Sequence, residues 1–157
     1  MATQDRQMSI VVRDVMSTQL VTLAADETVS LAEQLMRAIE ARHLPVLGEG
    51  DRLVGIVSDR DLLRAAASSL AGLHEEDART FKRQIRVDQI MSRNIAVAKP
   101  ETMLRDAAKL MRANKISCLP VVEGERLVGL VTETDLVDVL ISALEGQDSP
   151  PPATPQT

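Results

Sequence analysis

The sequence predicts an α/β fold of two tandem β-α-β-β-α repeats packed about a pseudo-twofold axis. Two observations carry this. The first is a duplication: residues 12–63 are written again over residues 87–137. Val15-Met16-Ser17 returns as Ile90-Met91-Ser92, Leu44-Pro45-Val46 as Leu119-Pro120-Val121, and Gly55-Ile56-Val57-Ser58-Asp59-Arg60-Asp61 as Gly129-Leu130-Val131-Thr132-Glu133-Thr134-Asp135. The offset is 75 residues up to the proline and 74 after the hairpin turn, because one loop residue is lost. The second observation is a change of period within each copy, from helical spacing to short apolar runs around a Gly-rich turn. At 157 residues the chain buries enough surface to fold unaided. Each half alone is marginal, so the halves are expected to share a core.

Taken in order, residues 1–7 are polar and expected to be loose, and residues 12–16 read as a short helical turn. Residues 20–23 read as a strand. Asp26-Glu27-Thr28 then offers capping side chains. A helix over residues 29–41 follows, with Val29, Ala32, Leu35, Met36 and Ile39 on one face. Leu44-Pro45-Val46-Leu47 and residues 53–57 flank Gly48-Glu49-Gly50-Asp51 and read as a hairpin. Pro45 cannot donate to a ladder, so it is expected at a strand start or an edge. A helix from residue 58 to about residue 70 closes the copy.

Residues 72–86 bridge the copies. Phe81 and Ile85 lie four apart, which predicts a partly helical, docked bridge. The second copy repeats the order: a strand over 95–98, a helix over 103–114, strands over 119–122 and 127–131, and a helix over 133–144. Residues 146–157 contain four prolines among polar neighbours and read as a disordered tail. The expected division is thus 8–70, 71–86, 87–145 and 146–157.

Composition excludes several functions. The chain has one Phe and no Tyr or Trp, so the core must be aliphatic. Stacking platforms for single-stranded nucleic acid are lacking. The net charge of −5 disfavours a polyanion partner. Arg79, Lys82, Arg83 and Arg86 form a basic cluster, read as a solvated helix face. Cys118 is the single cysteine, so no intramolecular disulfide can form. No apolar run is long enough for a membrane span, and the N-terminus has no signal-peptide pattern. A cytoplasmic protein is expected. His43, His74 and Cys118 lack metal-ligand spacing, and no paired nucleophile and base is evident, so no enzyme is expected.

The pattern closest to chemistry is Gly-x-x-Ser/Thr-x-x-Asp, at Gly55, Ser58 and Asp61 and again at Gly129, Thr132 and Asp135. The hydroxyl lies where a strand ends and a helix begins, with free N–H groups that suit a phosphate. The carboxylate can accept from a vicinal diol, and the glycine admits a close ligand or backbone. The same spacing also serves as a helix cap. Both readings stand, and they can coexist.

The order strand, helix, Leu-Pro-Val, hairpin and Gly-h-h-Ser/Thr-x-x-Asp, twice in tandem, resembles a pair of CBS domains (after cystathionine β-synthase), or Bateman module, over residues 8–145. The resemblance implies a regulatory, non-catalytic sensor that binds adenosine-containing ligands in clefts between the repeats. By it, Asp61 and Asp135 hold ribose hydroxyls, while Ser58 and Thr132 meet the phosphate or the ribose edge. Backbone around Thr22 and Val97, and the residues leading into each Leu-Pro-Val, line the adenine pocket. Those leading residues are Arg42 and His43 in the first copy and Ser117 and Cys118 in the second. Arg60 stands where the second copy has Thr134. Positive charge for phosphate is therefore expected mainly from the first repeat, although Arg42 and His43 also suit a solvated helix C-terminus. Cys118 reads as a small pocket-wall residue.

The implied ligand is an adenine nucleotide, AMP or ATP, with no required cofactor. A homodimer and an unidentified effector protein are the implied partners, with no membrane and no nucleic acid. The alternatives are an interaction module with empty clefts, or a sensor of S-adenosylmethionine or NAD(H).

Overall fold

The computed structural model describes residues 9–69 and 74–146. The expected loose start, the first residues of the bridge and the expected tail from residue 147 onward lie outside the described residues.

The first repeat holds β1 (Leu23–Ala24), α1 (Val29–Ala38), β2 (His43–Leu47), β3 (Leu53–Ser58) and α2 (Asp59–Ser69). The bridge carries α3 (Glu75–Gln84). The second repeat holds α4 (Leu104–Asn114), β4 (Cys118–Glu123), β5 (Arg126–Thr132) and α5 (Glu133–Leu144). Short 3-10 turns, Val12–Asp14 and Val87–Gln89, lead into the two repeats. The architecture is the mixed α/β tandem repeat predicted.

The ends of α1 and the stop of α4 have identifiable causes. Thr28 caps α1, its Oγ1 accepting from Leu31 N at 3.2 Å. The helix stops at Ala38, short of the expected residue 41. Glu40 turns left-handed (φ 54°), and Ala41 N bonds back to Met36 O at 3.0 Å. At the end of α4, Lys115 does the same (φ 54°), with Ile116 N bonded to Met111 O at 3.0 Å. These are Schellman-type stops made without the usual glycine, so no glycine marked them. The bridge is helical and docked, as expected: Lys82 Nζ pairs with Glu33 Oε2 at 2.9 Å on α1.

The sheets explain the prolines. β2 is the central strand of the order β1-β2-β3, with Pro45 in its interior opposite Ile56. That corrects the expectation of a strand start or an edge. It is tolerated for two reasons. Ile56 spends its N–H and C=O on Ser92 (3.0 and 2.9 Å), so it asks nothing of Pro45. On the other side β1 is short and pairs only at Val46 and Leu47, beyond the proline. Pro120 repeats this arrangement opposite Leu130, whose backbone bonds go to Ser17. The strand expected over residues 95–98 is reduced to a single bridge, Ala98 to Val121.

The copies exchange their leading segments. Val12, Val15 and Met16 pack into the core of the second repeat with Leu104, Ala107, Met111, Leu119 and Val131. Val87 and Met91 pack into the first with Leu23, Ala32, Met36, Leu44 and Val57. Hydrogen bonds follow the same exchange: Val12 N donates to Thr102 O and Val87 N to Glu27 O, each at 2.8 Å. Instead of one shared core there are two, each completed by the other copy's segment. Fully burying a valine contributes about 1.5–3 kcal/mol, and Val12 and Val87 are both completely buried. Neither repeat keeps its core without the other.

This exchange also explains the paired glycines. A Cβ on Gly55 would stand 2.3 Å from Met91 Sδ, and one on Gly129 2.5 Å from Met16 Sδ. The sequence reading gave these glycines to a close ligand or another backbone, and the structure puts side chains there instead. They admit the methionines of the exchanged segments.

Candidate functional site

One cleft, of about 540 Å³, collects chemistry from both repeats. From the first come Arg42 and His43 at the start of β2, and Ser58, Asp59, Arg60, Asp61 and Arg64 at the start of α2. From the second come Asn94, Ile95, Ala96, Lys115, Ile116, Ser117, Cys118 and Glu133. Ile56 and Ser92, the bridged pair described above, join them.

The local backbone holds these groups in place. Asp59 N donates to Arg42 O at 3.0 Å, tying the first turn of α2 to the residue ahead of β2. Ser58 N and Ser58 Oγ both donate to Asp61 Oδ2 at 2.8 Å, and Asp61 N returns a bond to Ser58 Oγ at 3.2 Å. This is a helix cap. It uses one carboxylate oxygen, so the cap leaves Oδ1 out of its bonds. The second motif is built alike: Thr132 N and Oγ1 donate to Asp135 Oδ2 at 2.7 and 3.1 Å.

The two carboxylates differ in setting. Asp61 is half-buried and lines the cleft. Asp135 is only 6% exposed. Burial pushes its carboxyl above the usual range, the Thr132 bonds pull it down, and neighbouring Asp138 pushes it up again.

At the floor of the cleft the two repeats touch, with His43 Nε2 lying 3.4 Å from Ser117 Oγ. Burial holds the His43 imidazolium below its ordinary 6.5; Asp59 and Asp61 raise it, while Arg42 and Arg60 lower it. An unfolded chain therefore keeps its proton to higher pH than the folded one. This stability is complete above 6.5 and is lost as pH falls through 6.5 toward the lower folded value. The melting temperature of the ligand-free protein is expected to rise between about pH 5 and 7, and His43→Gln to flatten that rise. An unchanged slope in the variant would assign the effect elsewhere. Cys118 lies in the cleft wall, 4% exposed, its thiol pushed up to about 12 by burial and by Asp135. A thiol so protonated is a poor nucleophile.

Of the residues marked in the sequence, the cleft brings together Arg42, His43, Ser58, Arg60, Asp61, Ser117 and Cys118. Thr132 and Asp135 sit at the start of α5, and Thr22 does not line the cleft. Val97, 40% exposed, lies in a separate hollow with Leu53 and Val54. The sequence reading missed Arg64, Asn94, Ile95, Ala96, Lys115 and Ile116. Arg64 carried a signal, four residues after Arg60 on the same helix face. Among the described residues, no cluster of three or more His, Cys, Asp or Glu is placed to hold a metal. No described helix is long and apolar enough to cross a membrane.

Known proteins share this fold. The CBS domain family matches residues 12–68 and again residues 87–142. The chain belongs to the CBS domain family. A CBS domain-containing protein of Dictyostelium discoideum is 36% identical over 139 residues, covering 88% of this chain and 96% of its own length. The CBS domain pair of protein MJ0100, solved with 5'-methylthioadenosine and S-adenosyl-L-methionine, superposes with a TM-score of 0.71 at 26% identity, covering 83% of this chain and 99% of that one. CBSX2 in complex with AMP gives 0.70 at 29% identity, covering 87% and 98%. This CBS pair thus has relatives solved with adenosyl ligands.

Proposed function

We propose that this CBS pair is a regulatory, non-catalytic sensor of an adenosine-type nucleotide, AMP or ATP. The observation that carries this is the cleft joining Ser58 and Asp61 of one repeat to Ile95, Ala96 and Ile116 of the other. Ile56, Ile95, Ala96 and Ile116 supply apolar walls for a base. Asp61 Oδ1 faces the ribose diol, and Arg42, His43 and Arg60 meet phosphate near the start of α2. The likeness to an AMP-bound pair and to an S-adenosylmethionine-bound pair supports the adenosyl class.

A thermal-shift panel tests it. Ligand at about 100 times its Kd stabilises by about 2.7 kcal/mol, a rise of roughly 5–10 °C for a chain of this size. AMP or ATP is expected to produce that rise, read by dye because the chain has no Trp or Tyr. No shift with AMP, ATP, NADH or S-adenosylmethionine would return the clefts to a purely structural role.

The sensor acts as a homodimer that passes its state to an effector protein. Supporting the dimer is a stripe on α5: Val137, Leu140, Ile141 and Leu144 are 51, 57, 46 and 79% exposed at helical spacing. Leu63 on α2, the counterpart of Val137, is 68% exposed. A second copy related by a twofold axis can cover both. Light scattering is expected to give a dimer mass for the native chain and a folded monomer for Leu140→Glu with Leu144→Glu. A native monomer at micromolar concentration would refute the dimer.

A further inference from the structure

The two copies differ in charge at equivalent places around the cleft. The cleft is rimmed by four cations, Arg42, Arg60, Arg64 and Lys115, all of them exposed. Their pseudo-symmetric counterparts are Ser117, Thr134, Asp138 and Glu40. No cation survives the exchange, and two become carboxylates. The most informative pair is Lys115 and Glu40. Both sit in the left-handed conformation at φ 54°, and both end a helix through the same backbone bond. The backbone is kept and the charge is inverted. Asp135, the second motif's carboxylate, is nearly buried beside Asp138.

We propose that the cleft at Asp61 selects ligands carrying a polyphosphate, and that the equivalent face at Asp135 rejects phosphate. Arg60 and Arg64 lie one helical turn apart at the start of α2, while Lys115 lines the same cleft from the other repeat. A chain of phosphates can span the three, whereas a single phosphate engages fewer of them. Charge-assisted bonds to phosphate are about twice as strong as neutral ones. The inference rests on the adenosyl reading for base and ribose, and the test separates the two.

Adenosine, AMP, ATP and inorganic tripolyphosphate are titrated calorimetrically into the native chain, Lys115→Glu, and the triple variant Arg60→Thr, Arg64→Asp, Lys115→Glu. Glu40 shows that a glutamate is accommodated at this left-handed position, so the single variant keeps its fold even if the triple does not. The native chain is expected to bind ATP at least about 100-fold more tightly than adenosine and about 10-fold more tightly than AMP. Lys115→Glu is expected to lose about 10-fold for ATP with adenosine unchanged, and the triple variant to lose the preference for ATP. Adenosine binding with no gain for ATP would overturn the phosphate selection and leave the adenosyl reading standing. Tripolyphosphate binding that Lys115→Glu weakens, with adenosine silent and ATP no tighter than tripolyphosphate, would support the cation cluster and sink the adenosyl reading. Silence from all four would overturn both.

Discussion

Placing one methyl group on Gly55 or Gly129 is expected to destabilise the protein by about 1–3 kcal/mol each. For a chain of this size that is a fall of roughly 2–4 °C in Tm per kcal/mol. The cause is steric and specific. A Cβ at Gly55 would meet Met91 Sδ at 2.3 Å and Cγ at 2.8 Å; at Gly129 the partner is Met16. Those methionines belong to the segments that the copies exchange, so Gly→Ala drives each leading segment out of the core that it completes. The strand gains a little from losing a glycine, about 0.5–1 kcal/mol, and the clash outweighs this. A double-mutant cycle identifies the mechanism. Met91→Ala alone leaves a cavity and costs about 2–5 kcal/mol, but Gly55→Ala added to it is expected to cost little or nothing further. Additive losses would dissociate the glycine from the methionine. An unchanged Tm with weakened ligand binding would restore the ligand role that the sequence suggested for these glycines.

The second large effect concerns the carboxylates. Asp61→Ala and Asp135→Ala each remove a helix cap, so both are expected to lower stability by about 0.5–2 kcal/mol. Only Asp61→Ala is expected to abolish nucleotide binding, because Asp61 lines the cleft while Asp135 is nearly buried. Hydrogen bonds to a charged group contribute about 1.5–3 kcal/mol each, so the loss of two ribose contacts weakens binding by about 100-fold or more. Asp61→Asn keeps an acceptor for Ser58 and separates cap from ligand: its stability is expected to recover while its affinity stays low. Fluorescence polarisation with a labelled adenine nucleotide reads this directly. Equal losses of affinity in Asp61→Ala and Asp135→Ala would mean that the cleft does not decide binding.

Much of this was legible in the chain because the duplication provided its own control. The helices, the hairpins and the docked bridge follow from apolar period and turn residues. What escaped was long-range. Nothing local in Val12 or Val87 says that each packs into the opposite repeat, since an apolar turn looks the same wherever it docks. The stops at Glu40 and Lys115 escaped because their left-handed residues are not glycines. Pro45 reads as a strand-start or edge residue because the sequence does not show that Ile56 bonds to Ser92. The site was half legible. Ser58, Asp61, Arg60, Arg42 and His43 lie in or beside recognisable motifs. Lys115, Ile116 and Asn94 reach the cleft only because the second repeat folds back against the first. The contrast of Arg42 and Arg60 with Ser117 and Thr134 was visible, and its extension to Arg64 and Lys115 needed the fold.

The proposed site is the cleft between the repeats, with an adenosine-type nucleotide held on Asp61. A crystal structure of the protein with AMP tests it most directly. The predicted result is a nucleotide in the cleft, its ribose diol on the Asp61 carboxylate and its base among Ile95, Ala96 and Ile116. A nucleotide seated instead against Thr132 and Asp135, or outside the cleft altogether, would contradict it.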